Sequence, residues 1–169
     1  MVAEINFSKL TLMDALDLAC LIEVEARQRY EFFAEQIGPR NPGDAAAVFL
    51  SMAENEKKHG EQLAQRRLAM FGRAPARVTR DDIFDVEAPD FGAPYGNMSP
   101  LKAFQVALAS EKKAYEFYDR ALLTTKLFDV ETLFHELRKE EAEHVRMIEE
   151  IIAKLPPEAA LDIEDIDEA

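Results

Sequence analysis

The sequence predicts an all-α protein, a bundle of four helices arranged as two antiparallel hairpins. Apolar residues recur at helical spacing in four long segments, and three of these segments end at Gly or Pro. A stretch of about 26 residues, rich in Pro, Gly and Asp, separates the second segment from the third, which is long for a connection inside a domain. Short links within each helix pair and a long crossover between the pairs account for all three observations.

The first hairpin joins two helices in the N-terminal half of the chain. The first helix is predicted over residues 11–37, because Gly38 and Pro39 stop it. The second helix begins near Asp44, a plausible N-cap, and ends at Gly72. The link between them is short, so we expect the two helices to be antiparallel neighbours.

The second hairpin lies in the C-terminal half. Its first helix opens with Ser99 as the N-cap and Pro100 at the first helical position, an arrangement that helix starts favour, and it runs to about residue 125. The last helix begins near Asp129 and ends before Pro156, because proline cannot continue a helix. We therefore predict one domain over residues 1–155 and an acidic tail over residues 156–169.

Composition limits the classes of function. At 169 residues with 48% apolar residues, the chain is long enough to bury a single core. The net charge is −13, and the tail alone has six acidic and no basic side chains. Such acidity disfavours nucleic acid as a partner, because phosphate binding depends on Lys and Arg. It favours attraction of cations, although a soluble acidic surface explains it equally well.

The cysteine count and the apolar runs suggest a compartment. The single cysteine, Cys20, cannot form an intramolecular disulfide or a four-cysteine iron centre. Residues 1–10 lack the pattern of a signal peptide, and no apolar run approaches the ~18 residues that span a bilayer. We expect a soluble, cytoplasmic protein without a membrane partner.

Six side chains that can ligate metals fall on the apolar stripes of the helices. Each half of the chain has one lone Glu followed by a Glu-x-x-His motif, and the members are Glu23, Glu56, His59, Glu111, Glu141 and His144. Glu is rarely buried without a partner, and four in one core would repel one another. Two cations would resolve both problems, and this residue set matches the dinuclear carboxylate sites of four-helix bundles.

The positions of the glutamates along the hairpins agree with this interpretation. Glu23 and Glu56 lie about 17 and 16 residues from the first turn, and Glu111 and Glu141 about 15 from the second, so at ~1.5 Å rise each pair shares a height. A single Glu-x-x-His in an acidic helical protein is more often a solvated face. Two motifs, each on a core stripe and level with a lone core Glu, favour a metal site.

Several other residues are assigned from their spacing. Tyr30 and Tyr118 lie seven positions after the lone glutamates, and we expect their hydroxyls to donate hydrogen bonds to ligating carboxylates, although buried core aromatics are the plainer alternative. Glu140 lies off the apolar stripe, as do several other acidic residues, and His135 is expected at the surface. We expect Cys20 to be a small buried apolar residue.

Four segments resemble the helices of rubrerythrins. They are Glu23-Val-Glu-Ala-Arg-Gln-Arg-Tyr30, Ala-Glu-Asn-Glu56-Lys-Lys-His59, Glu111-Lys-Lys-Ala-Tyr-Glu-Phe-Tyr118 and Lys-Glu-Glu141-Ala-Glu-His144. The resemblance covers roughly residues 11–155 and implies a ferritin-like bundle whose six Glu and His residues bind a non-haem di-iron centre. Two departures stand out: the rubredoxin-like domain has no counterpart here, and Ala114 replaces an additional carboxylate. The site therefore looks like a symmetric six-ligand site.

The resemblance implies a di-iron oxidoreductase that reduces peroxide or O2 with electrons from an external donor such as a rubredoxin. The alternative is a ferroxidase or iron-binding protein for storage or delivery, and Mn or Zn could also occupy the site, because Glu and His suit several divalent ions. A homo-oligomer, most simply a dimer through the first two helices, is also expected from the family. Arg66 and Arg67 are expected to cover solvated flanks.

Overall fold

The structure is a computed structural model that describes residues 5–38, 45–83, 86 and 99–160. These residues form a four-helix bundle and contain no strand, so the predicted fold class is confirmed. The helices are α1 (Leu12–Ile37), α2 (Ala45–Phe71), α3 (Pro100–Thr124) and α4 (Phe128–Lys154), with short 3-10 turns at Phe7–Lys9, Arg80–Ile83 and Pro157–Ala160. Helix α1 packs along α2, and α3 packs along α4, as the two-hairpin prediction requires.

Helix α1 begins and ends at strong signals in the sequence. The Thr11 hydroxyl accepts a hydrogen bond from the Asp14 backbone N–H at 3.3 Å, and the Asp14 carboxylate accepts from the Thr11 N–H at 3.0 Å. This capping box satisfies two N–H groups that the helix leaves without partners. The helix stops at Gly38, whose φ of +71° lies in the left-handed region that glycine adopts without a steric penalty.

The second hairpin has one strong start and one weak one. Ser99 caps α3 by accepting from the Lys102 N–H at 3.2 Å, and Pro100 takes the first helical position, as predicted. Helix α4 begins at Phe128, one residue before the predicted start. Its N-cap is Leu127, which makes no side-chain cap hydrogen bond. Asp44, the predicted N-cap of α2, lies outside the described residues.

The core has two apolar clusters, and each contains residues from all four helices. The first includes Leu16, Leu63, Phe117 and Phe134, whereas the second includes Phe33, Phe49, Phe104 and Ile148. In every helix the predicted metal residues lie between the segments that build the two clusters. The predicted metal residues therefore form a polar layer in the middle of the bundle.

A largely buried ion pair connects the end of α2, where the crossover begins, to α1. Arg67, near the end of α2, donates to both carboxylate oxygens of Asp17 at 2.7 and 3.1 Å and also to the carbonyls of Gly72 and Ala74. The expectation that Arg67 covers a solvated flank is wrong, because this fourfold bonding holds the guanidinium in a buried position. Arg66 is partly exposed, with 38% of its side-chain surface accessible.

Further along the crossover, Arg77 pairs with Asp14 at 2.6 Å, and Ile83 and Val86 are buried in the first cluster. The described part of the crossover therefore lies against α1. After α4, Ala159 in the last 3-10 turn is buried, and this turn packs against α3. Residues 161–169 of the acidic tail lie outside the described residues. Within the described part, no helix is both long and apolar enough to cross a bilayer.

Candidate metal centre

The four predicted glutamates are buried in the middle of the bundle. Glu23, Glu56, Glu111 and Glu141 have at most 4% of their surface exposed. The sequence prediction that these side chains face the core is thereby confirmed. Carboxylates so deeply buried are unfavourable unless positive charge or hydrogen bonds compensate them. The residues that surround them show how that compensation is provided.

His144 on α4 is surrounded by carboxylates from three helices. Its Nδ1 atom lies 3.3 Å from Glu111 Oε2, 3.4 Å from Glu56 Oε1 and 3.7 Å from Glu141 Oε2. Burial by itself lowers the pKa of His144, but hydrogen bonds to Glu111 and Glu141 and the charge of Glu56 outweigh it and raise the pKa to about 12. The imidazole is therefore protonated at neutral pH and offsets part of the negative charge.

His59 on α2 occupies a more open position. Its side chain is 28% exposed, and its Nδ1 atom lies 3.9 Å from Glu56 Oε2. The rings of His59 and His144 are stacked, with centroids 5.6 Å apart and planes 3° from parallel. The two oxygens of Glu56 thus face different histidines, so this carboxylate lies between the two halves of the site.

Three overlapping groups of side chains could each hold a metal ion. They are Glu56 with His59 and His144, Glu111 with Glu141 and His144, and Glu23 with His59 and Glu140; within each group the ligand atoms lie within 4.8 Å of one another. All six predicted residues occur in these groups, so the structure brings the whole set together. The donors are carboxylate oxygens and imidazole nitrogens, which suit iron, manganese and zinc.

Comparisons with known proteins identify the family. A sequence model described as rubrerythrin matches residues 14–90. The solved structure of an uncharacterized conserved protein from Magnetospirillum magnetotacticum MS-1 is 30% identical, with a TM-score of 0.71, and the match covers 87% of this chain and 97% of that chain. This chain belongs to the rubrerythrin group of ferritin-like proteins. No curated protein matches it.

Rubrerythrins typically bind iron, and this member has carboxylate and histidine groups that could hold a metal. The donor set fits such ions on an observation of the structure itself: four carboxylates are buried in one layer with two histidines, of which His144 is buried among them and His59 is partly exposed. Cations at this position would compensate the excess negative charge that the apolar clusters cannot.

Glu140 is the member of the site that the sequence analysis missed. Its position in the sequence lies off the apolar stripe of α4, yet its side chain is half-buried. One of its oxygens lies within 4.8 Å of the ligand atoms of Glu23 and His59. Burial raises the pKa of the Glu140 carboxyl, and the neighbouring His59 and His144 offset part of that rise. No sequence signal marked it, because two adjacent acidic residues are common on a solvated helix face.

A cavity of about 240 Å³ leads to this part of the rubrerythrin site. It lies between α2 and α4 and is lined by His59, Gln62, Leu63, Arg66, Leu133, Glu136, Leu137 and Glu140. The Arg66 guanidinium lies 3.1 Å from the Glu136 carboxylate in its wall. Access to the site is therefore asymmetric, closed around His144 and open beside His59. The symmetric six-ligand set expected from the sequence stays a prediction.

The two tyrosines lie on opposite sides of the carboxylates, one in each apolar cluster, and both are fully buried. Tyr30 stacks on Phe49 with centroids 6.0 Å apart, and Tyr118 packs against Phe134 at 5.7 Å. The Tyr30 hydroxyl is buried and has no hydrogen-bond partner within the part of the chain that the structure describes. Their predicted hydrogen bonds to ligating carboxylates stay predictions.

The remaining assignments concern residues away from the polar layer. His135 is exposed, as expected, and its Nε2 atom lies 3.8 Å from Glu131. Cys20 is half-buried against the first apolar cluster rather than fully buried. Burial raises the pKa of its thiol to about 11, so the unreactive protonated form prevails at neutral pH.

Proposed function

We propose that this protein is a non-haem di-iron oxidoreductase that reduces peroxide or O2 with electrons from a separate donor protein. The observation that supports it best is the position of Glu56 between His59 and His144, with one carboxylate oxygen facing each imidazole. A carboxylate so placed can be shared by two cations, which is what a dinuclear site requires. Paired iron ions supply the electrons and the Lewis acidity for reduction of an O–O bond.

The residues divide into two sets around Glu56. Glu111, Glu141 and His144 would hold one ion, and Glu23 and His59 would hold the other. The apolar clusters above and below the polar layer keep bulk water away, so bound cations rather than hydration would compensate the negative charge of the carboxylates. We include in the proposal that Tyr30 and Tyr118 donate hydrogen bonds to these carboxylates and so fix their orientation when the site is loaded.

The electron source belongs to the proposal as well. The chain contains one cysteine, so it cannot build a four-cysteine iron centre of its own, and electrons would come from a donor such as a rubredoxin. A homodimer through α1 and α2 is likewise proposed, since these helices expose several large apolar side chains: Val24, Phe32, Leu50, Leu68 and Met70. Light scattering on the purified protein would report the oligomeric state.

The test is an anaerobic titration with Fe(II), followed by rapid mixing with hydrogen peroxide or with O2. We expect two Fe(II) ions per chain and a change in the optical spectrum within the mixing experiment for at least one oxidant. The matched control is Glu111→Ala, which removes one of the buried carboxylates and should lower the stoichiometry. Binding of two ions with no spectral change on either oxidant would contradict the oxidoreductase proposal.

Iron handling is the second candidate, and the open side of the site favours it. The cavity beside His59 carries the acidic side chain of Glu140, and the whole chain has a net charge of −13, so cations are attracted towards this opening. Stoichiometry separates the two candidates. A catalytic site saturates at two ions per chain, whereas iron storage continues to take up iron well beyond that number.

A further inference from the structure

We propose that Glu140 is a seventh metal-binding carboxylate and that, with His59, it takes up divalent cations from the cavity between α2 and α4. The inference rests on the proposed dinuclear site and adds a residue and a direction of access to it. It concerns only the ion position beside Glu23 and His59. The opposite position, beside His144, keeps the ligands already described.

The ligand atoms of Glu140, Glu23 and His59 lie close together. One oxygen of Glu140 lies within 4.8 Å of a carboxylate oxygen of Glu23 and of an imidazole nitrogen of His59. These three side chains come from α4, α1 and α2, so they converge from three directions on one point. Without Glu140, this position would have fewer carboxylates than the position at His144, which Glu111 and Glu141 both approach.

His59 and Glu140 lie on the side of the site that solvent can reach. Of the six residues predicted from the sequence, five are almost completely buried, and only His59 has a substantially exposed side chain, at 28%. The cavity of about 240 Å³ is lined by both His59 and Glu140, so these two residues face the opening on one side and the buried carboxylates on the other. A cation that enters from this cavity meets them before it meets Glu23 or Glu56.

The charge of the cavity wall favours a cation beside Glu140. Arg66 is the one basic side chain lining this cavity, and its guanidinium lies 3.1 Å from the Glu136 carboxylate, which neutralises it. Glu140 is then the acidic group of the lining that remains beside His59. The wall therefore offers a cation one flexible carboxylate and one imidazole, a pair of donors that suits a divalent transition metal.

The experiment compares metal uptake by three full-length, metal-free proteins: wild type, Glu140→Gln and Glu143→Gln. Glu143 is the matched control, because it is an exposed glutamate on the same helix that does not line the cavity. The probe is Co(II), followed by calorimetry for affinity and stoichiometry and by stopped-flow absorbance for the rate of uptake. Glu140→Asp, which keeps the charge on a shorter side chain, serves as the conservative variant.

We expect wild type and Glu143→Gln to bind two Co(II) ions per chain with the same affinities. In Glu140→Gln one of the two ions should bind about tenfold to 100-fold more weakly and more slowly, while the other is unchanged. Glu140→Asp should recover part of the uptake rate. Circular dichroism and thermal melting of the metal-free variants show whether each is folded, and Glu140→Asp replaces Glu140→Gln in the comparison if the latter is not.

The outcomes separate this inference from the proposed function. If wild type binds two ions and Glu140→Gln binds both within twofold of wild type, Glu140 is not a ligand and only this inference is overturned. If wild type binds fewer than two ions, the dinuclear site itself is wrong and this inference is overturned with it. Equal weakening in Glu140→Gln and Glu143→Gln would show a general charge effect and would also overturn it.

Discussion

The two hairpins carry the same set of metal-ligating residues, yet their histidines lie in different surroundings. His144 is buried and has carboxylates from three helices within 3.7 Å, whereas His59 is partly exposed at the wall of a cavity. The repeat in the sequence therefore predicts which residues meet but not which side of the site is open. The open side depends on how far α2 lies from α4, and no local spacing encodes that distance.

The hairpins also differ at their ends. Helix α1 starts with the Thr11–Asp14 capping box, and Arg77 pairs with the same aspartate. Helix α4 starts at Phe128, and its N-cap Leu127 makes no side-chain hydrogen bond; Leu123 and Phe128 are 81% and 82% exposed. One hairpin thus has a well-bonded end and an open metal position, whereas the other has a poorly capped end and a closed metal position.

The strongest test of the comparison replaces the carboxylate that the two halves share. Because Glu56 faces both histidines, Glu56→Gln should weaken the binding of both Co(II) ions by about 100-fold each, or about 2.7 kcal/mol per ion. Glu23→Gln should weaken only one ion. Calorimetric titration of the metal-free proteins measures both effects, and a Glu56→Gln protein that loses affinity for one ion alone would refute the shared position.

The next prediction concerns stability without metal. His144→Ala should lower the free energy of unfolding of the metal-free protein by about 3 kcal/mol, because it leaves buried carboxylates without their protonated partner. His59→Ala should lower it by less than about 1 kcal/mol, since this side chain is partly exposed. Urea unfolding at pH 7 compares the two variants. Equal losses would mean that the two histidines have equivalent surroundings.

A smaller effect is expected at the capped end of α1. Burial alone raises the pKa of Asp14, but hydrogen bonds from Arg77 and Thr11 outweigh it and hold the pKa below its ordinary value of 3.8. A lowered pKa stabilises the fold above the unfolded value, and this contribution disappears as pH falls below 3.8 through the folded value.

Asp14→Asn should therefore cost about 1 kcal/mol at pH 7 and progressively less as the pH falls below 3.8. Urea unfolding at several pH values between 7 and 2.5 gives the difference between wild type and variant. Asp129→Asn in the first turn of the uncapped helix α4 is the matched control, because no arginine pairs with that carboxylate in the hydrogen bonds and ion pairs described above. A difference between wild type and Asp14→Asn that stays constant with pH would contradict the assignment.

The smallest change in stability is expected at the start of α4. Leu127 has the extended backbone of an N-cap, with φ of −91° and ψ of 126°, but its side chain cannot accept a hydrogen bond. Leu127→Ser should therefore raise the free energy of unfolding by about 0.5 kcal/mol. Thr11→Ala, which removes the existing cap of α1, should lower it by about 1 kcal/mol. Thermal melting measures the stability of both variants. A destabilised Leu127→Ser protein would contradict the prediction and would show that the packing of Leu127 stabilises the fold.

Much of the fold follows from local signals in the sequence. Ser99 and Pro100 start α3, and Gly38 ends α1, because each satisfies or relieves the backbone at a helix end. The start of α4 was placed one residue late, since Leu127 carries no capping signal. Six members of the site could also be predicted, because a carboxylate in an apolar stripe is unusual enough to be noticed.

The rest of the site depends on contacts between residues far apart in the sequence. Arg67 is buried because Asp17, 50 residues earlier, meets it across the first hairpin, and no periodicity marks such a pair. Glu140 reaches the site because α4 presents a second side to the cavity, which a single inward stripe does not describe. Both features arise from the spacing of helices rather than from the pattern within one helix.

The polar layer between the two apolar clusters also fixes how the helices align. A slide of one helix by a turn would carry its buried glutamate out of this layer and towards the apolar side chains of a cluster, which cannot compensate its charge. The four buried glutamates thus fix the register in which the helices align.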